Sequence, residues 1–220
     1  MKYSKEDIRN SMLLYAVTDR RWLKEGETLA EVCRKALQNG VTFLQIREKD
    51  LSETDFQREA EALRDLCTEY RVPYVVNDSV EVALRSGADG VHVGQSDIQG
   101  RDIRRLIGPD RILGMSARTV EEAIAAERAG ADYIGVGAVF PTGTKQDARP
   151  MTRERLRAIR AAVSIPIVAI GGINAGNILE LTGSGVDGAA VVSAIFGAED
   201  PGAAAAELAE LAKEMITKQI

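Results

Sequence analysis

The residues of this 220-residue chain that could do chemistry gather in a few short runs. In Leu44-Gln-Ile-Arg-Glu-Lys49 the side chains of an extended segment alternate faces. Gln45, Arg47 and Lys49 then share one face, and Leu44 and Ile46 the other. An amide and two cations on an inward face are costly unless an anion meets them. The alternative is a solvated run paired with Glu48 and Asp50. Asn77 and Asp78 follow an apolar run, and Asp97 ends Gly94-Gln-Ser-Asp97. Two carboxylates near a cationic cluster suit a hard cation held partly by protein and partly by ligand phosphates, the usual mode of Mg²⁺. The alternative is that each caps the helix after it. Ser116 offers a hydroxyl to a phosphate, and Thr119 is placed to cap a helix. Thr142, Gly143, Thr144 and Lys145 make an anion cradle. Their hydroxyls and N–H groups donate, the glycine permits close approach, and the lysine adds charge. A plain turn is the alternative. Gly172 and Ser193 supply an N–H and a hydroxyl that suit a second phosphate.

This inventory holds two anion sites and one cation site, and it offers no obvious general base. His92 is the one histidine. It sits within a short apolar run, which favours a lining role over catalysis. No Ser-His-Asp or Cys-His set is available. Cys33 and Cys67 fall in helical patterns and read as buried structural thiols, with no disulfide expected.

The elements that must position these residues follow from periodicity. Strands are predicted at Leu13–Thr18, Thr42–Arg47, Pro73–Asn77, Gly90–Val93, Arg111–Met115, Tyr133–Gly137, Ile165–Ile170 and Gly188–Val192. Helices are predicted between them: Leu29–Asn39, a Ser52-capped helix to Tyr70, Val80–Arg85, Arg101–Ile107, Thr119–Ala129, Arg153–Ala162 and Asn177–Leu181. A short helix capped by Ser4 and Asp7 leads the chain, and one opened by Asp200 and Pro201 runs to Thr217. Gly40, Gly87, Gly130 and Gly185 each separate a helix from the next strand, followed by VTF, ADG, ADY and VDG. The expectation is a single (β/α)₈ TIM barrel over residues 1–220, with chemistry at the C-terminal strand ends. A doubly wound sheet would want a glycine turn after its first strand, and Thr18-Asp-Arg-Arg21 has none.

Composition removes other classes. Net charge is −5 and aromatics are 5%, with no basic run, so no nucleic-acid partner is expected. No apolar stretch reaches the roughly 18 residues of a membrane span, and the N-terminus lacks a signal-peptide core. A cytoplasmic location is expected. The oligomeric state stays open, a homo-oligomer included, as does whether the Asp19–Glu27 loop with Trp22 closes over a site or packs on the surface.

LYAVTD, QIREKD, VVNDSVEVA, DGVHVGQSD, GMSART, DYIGVGAVFPTGTK, VAIGGIN and DGAAVVSAIF, in this order, resemble the motifs of the thiamine-phosphate synthase family over nearly the whole chain. The resemblance implies small phosphorylated substrates, a pyrimidine diphosphate and a thiazole phosphate, joined with Mg²⁺ by a dissociative mechanism in which no strong base is needed. It implies that Gln45, Arg47, Lys49, Asn77, Ser116 and Lys145 serve the pyrimidine diphosphate. Of these, Lys145, Arg47 and Ser116 would be the catalytic set. Thr142, Thr144, Gly172, Val192 and Ser193 would surround the thiazole phosphate, and Asp78 and Asp97 would ligate Mg²⁺. Ser96, Gly143 and Arg118 depart from common family patterns. A related barrel family that tautomerises the thiazole lacks the metal carboxylates and the loop lysine. It uses a histidine near the position of Arg118. A non-catalytic phosphate-binding barrel and another phosphate-handling isomerase or aldolase complete the alternatives.

Overall fold

The structure, a computed structural model, describes residues 3–98, 100–142 and 151–218. Eight parallel strands close into a barrel in sequence order. They are β1 (Leu14–Val17), β2 (Phe43–Ile46), β3 (Tyr74–Asn77), β4 (Gly90–Val93), β5 (Ile112–Ala117), β6 (Tyr133–Gly137), β7 (Ile167–Ile170) and β8 (Gly188–Val191), and β8 pairs back onto β1. The helices are α1 (Lys5–Ser11), α2 (Leu29–Gln38), α3 (Glu53–Tyr70), α4 (Val80–Ser86), α5 (Gln95–Ile98), α6 (Ile103–Ile107), α7 (Val120–Arg128), α8 (Arg153–Ala162), α9 (Ser193–Phe196) and α10 (Pro201–Thr217).

Strand alternation sorts the apolar residues into two cores. Leu14, Ala16, Leu44, Ile46, Val91 and Val93 face outward into the layer shared with the helices. Tyr15, Val17, Phe43, Val75, Ile112, Tyr133, Val168 and Ala190 fill the barrel interior. Ile8 and Met12, from α1 and the residue after it, join that interior core, so the leading helix plugs the barrel's N-terminal end. Its Ser4–Asp7 capping box is formed. Ser52, Thr119 and Asp200 cap α3, α7 and α10 as predicted.

The recurrent VTF, ADG, ADY and VDG runs have a structural cause. Thr42, Asp89, Asp132 and Asp187 each stand just before an even strand and accept the N–H at the start of the preceding odd strand: Leu14 (2.9 Å), Tyr74 (3.1 Å), Leu113 (2.8 Å) and Ile167 (2.8 Å). Each therefore satisfies a strand-end donor that would otherwise be buried without a partner. The four preceding glycines all take positive φ, from +70° to +103°, which ends each helix and turns the chain back under the barrel.

The structure differs from the sequence expectations at the rim. Strand β5 runs on to Ala117, so Ser116 lies in the strand and not after it. The α5 and α9 turns lie outside the helices predicted from periodicity, and Asn177–Leu181 is a 3₁₀ turn over Ile178–Leu181. These segments are too short to show a helical period. Ser79, not Asp78, caps α4.

Candidate active site

The two carboxylates expected to converge do so. Asp78 and Asp97 lie within side-chain hydrogen-bonding reach of each other, and Lys49 Nζ is 3.0 Å from Asp78 Oδ2. Burial, and then the neighbouring Asp78, push the Asp97 carboxyl above its ordinary range. Strand pairing of β3 with β4 brings the two acids together. The Asp78 N–H continues that ladder by donating to the His92 carbonyl at 2.8 Å. Asp78 has φ +64°, a left-handed conformation that a non-glycine residue adopts at a cost. Asp97 sits inside α5 and accepts the Gly94 N–H at 3.0 Å, so it does not cap the helix that follows, α6, which Asp102 caps.

Arg47 is placed differently from Lys49. Its N–H donates to Thr18 Oγ1 at 2.9 Å, and its charge acts on Asp19. Asn77 ends β3, opposite His92 in register. Gln45 is buried and donates through Nε2 to Tyr15 Oη at 2.7 Å. Ser116, half-buried at the top of β5, lies 3.0 Å from His92 Nε2. His92 thus has the lining role expected of it. Cys33 and Cys67 are buried and unpaired with each other.

Across the rim a cavity of about 610 Å³ opens between the ends of β1, β6, β7 and β8, lined by Thr142, Gly172 and Ser193 with Arg21, Trp22 and Asn174. Gly172 has φ +67°, and a Cβ there would stand 2.3 Å from the Pro141 carbonyl oxygen. Only glycine lets the β6 and β7 loops touch in this way. Val192 packs against the interior core and leads directly into α9. The first N–H groups of that turn have no intrahelical acceptor. Thr144 and Lys145, with Gly143, lie outside the described residues.

This cavity is also bordered by a charged pair. Arg21 lines it, gripped through Nε and Nη2 by Asp19 at 2.9 and 2.6 Å. The Arg21 guanidinium holds the buried Asp19 carboxyl below the usual carboxylate range. Trp22 also lines the cavity, and its ring lies against Gly197, where a Cβ would meet it at 2.9 Å. The signal for both residues was available: they follow the C-terminal end of β1, where the barrel rule places chemistry.

A closed eight-stranded parallel barrel with polar groups gathered at its C-terminal rim defines a TIM-barrel enzyme. The family model described as thiamine monophosphate synthase matches residues 14–195. A thiamine-phosphate synthase of Clostridium tetani is 47% identical over 89% of this chain and 93% of its own length. One from Clostridium beijerinckii is 49% identical with the same coverages. A solved thiamine phosphate pyrophosphorylase from Pyrococcus furiosus superposes with a TM-score of 0.86 at 43% identity, covering 95% of this chain and 99% of the other. The chain therefore belongs to the thiamine monophosphate synthase family and is an enzyme of the transferase class. No described helix is long and apolar enough to cross a membrane.

Proposed function

We propose that the protein is a cytoplasmic thiamine-phosphate synthase. It joins 4-amino-2-methyl-5-hydroxymethylpyrimidine diphosphate to 4-methyl-5-(2-phosphoethyl)thiazole, or to its 2-carboxy form. The products are thiamine phosphate and diphosphate, with CO₂ when the carboxylated ring is used. One observation carries this reading: the Asp78–Asp97 pair stands beside Lys49 on the same rim as the cavity of Thr142, Gly172 and Ser193. Two phosphorylated ligands can then be held side by side.

The residues present fit Mg²⁺. Two carboxylates forced together repel, which a divalent cation relieves, and among the described residues no third acid, histidine or cysteine completes a closed cage. That donor set suits an ion that keeps water and takes its remaining oxygens from substrate phosphates. Mg²⁺ when bound supplies charge neutralisation of the departing diphosphate.

The chain's own groups do the rest. Lys49, Arg47, Lys145 and Ser116 receive the diphosphate, with Asn77 beside it, and Gln45 meets the pyrimidine. The C–O bond breaks with its electron pair leaving on diphosphate, and the thiazole nitrogen brings the lone pair for the new C–N bond. No proton is taken from the nucleophile, so the lack of a general base is no obstacle. Preorganised charge and alignment suffice. Thr142, Thr144, Gly172, Val192 and Ser193, with Arg21, hold the thiazole phosphate so that its nitrogen faces the breaking bond.

The tautomerase reading has no use for the paired carboxylates. The deciding assay mixes pure protein, both phosphorylated rings and Mg²⁺. Thiamine phosphate and diphosphate are expected in equal amounts. A rearranged thiazole with no joined product would overturn the proposal.

A further inference from the structure

Five polar side chains cross the barrel interior in one unbroken line. Gln45 Nε2 is 2.7 Å from Tyr15 Oη, which is 2.7 Å from Tyr133 Oη. Tyr133 Oη is 3.0 Å from His92 Nδ1, and His92 Nε2 is 3.0 Å from Ser116 Oγ. The line joins β2, β1, β6, β4 and β5. Space for it is built in: a Cβ on Gly114 would stand 2.2 Å from the Tyr133 ring and 2.5 Å from His92 Nδ1. A Cβ on Gly135 would approach His92 Cε1 to 3.2 Å.

Each phenol has one proton, and a neutral imidazole has one N–H. The imidazole proton has two possible places. In one, Gln45 donates to Tyr15, Tyr15 to Tyr133, Tyr133 to His92 Nδ1, and His92 Nε2–H to Ser116. The Ser116 hydroxyl proton is then free, and Gln45 keeps its carbonyl oxygen for another partner. In the other, the imidazole proton sits on Nδ1 and is donated to Tyr133, Ser116 spends its proton on His92 Nε2, and the Gln45 amide nitrogen still donates to Tyr15. A phosphate oxygen only accepts, so the first order alone lets Ser116 serve a diphosphate. We infer that Tyr15, Tyr133 and His92 are positioning residues that lock this first order and so leave the Ser116 hydroxyl proton for the diphosphate. The inference rests on the reading of Ser116 as a diphosphate ligand.

The single histidine makes the order measurable. One nitrogen-15 histidine label reports one imidazole, in the full chain without substrate. The expected spectrum is a neutral ring with its proton on Nε2. In Tyr133→Phe, and separately in Tyr15→Phe, the tautomers should mix. Turnover should fall about tenfold, the loss expected for one misdirected hydrogen bond. A role in packing alone would lower the melting temperature and leave the ring proton in place. A proton on Nδ1 in the parent protein, or an unchanged tautomer in both variants, overturns the inference. If the variants do not fold, the parent spectrum decides. Failure of the parent to make thiamine phosphate would instead strike the functional reading, since the tautomer is read without any assay.

Discussion

Asp97 is held at a disadvantage in the free protein. Burial and the adjacent Asp78 both disfavour its charge, and a cation would reverse that. Asp97→Asn keeps an acceptor for the Gly94 N–H and removes the repulsion. We expect it to lower turnover at least about a hundredfold, a loss typical of removing a group that stabilises transition-state charge. The melting temperature in EDTA should stay level or rise. Lys145→Ala should likewise lower turnover without matching loss of stability. Steady-state kinetics beside thermal melts check both, and full activity in either variant would count against the site. Asp19 makes the opposite case. Its carboxyl is depressed below the ordinary value of 3.8, first by the hydrogen bond from Arg21. A depressed acid contributes stability that is present above its unfolded pKa and lost as pH falls through its folded one. Asp19→Asn should therefore melt lower than the parent at neutral pH, and the gap should close below about pH 3.8. A gap independent of pH would show that the charge is not what stabilises the loop.

At the scale of elements, the barrel's two ends are divided between stability and chemistry. The N-terminal end is closed by the Thr42, Asp89, Asp132 and Asp187 brackets. Asp132 also meets Arg104 Nη2 at 2.6 Å, and Asp187 meets Arg160 Nη1 at 3.1 Å. Asp132→Ala would strand the Leu113 N–H and remove the carboxylate beside Arg104, whose guanidinium keeps the Gly108, Arg111 and Gly130 carbonyls. We expect a loss of about 1–3 kcal/mol, the cost of one buried donor left without a partner. Urea unfolding measures it, with turnover per folded molecule unchanged because the residue lies at the end away from the rim. The C-terminal end carries shorter elements: α5, α9 and the Asp19–Trp22 turn. These hold the candidate site residues that α-helical periodicity could not reveal.

For the whole molecule, the two anion-receiving regions sit on one rim but draw on different strands. The carboxylate pair belongs to β3 and β4, and the cavity of about 610 Å³ to β6, β7, β8 and the end of β1. Metal removal should therefore separate them. EDTA should abolish diphosphate release while a thiazole phosphate still binds, as titration calorimetry on the metal-free protein would detect. Loss of both bindings together would argue that the regions are one site. The sequence alone determined the barrel. Strand and helix periods are local properties, and eight alternations with glycine-ended helices leave few closed arrangements. It also located Asp78, Asp97, Gly172 and Ser193, because the barrel rule converts a strand end into a position on the rim. The tertiary structure alone decided what depends on contacts between distant strands. It put Arg21 on the wall of the cavity shared by Thr142, Gly172 and Ser193, gave Asp78 its left-handed turn, and threaded Gln45, Tyr15, Tyr133, His92 and Ser116 into one line. Those five residues come from five strands, and only closure of the sheet brings their hydrogen-bonding atoms within reach.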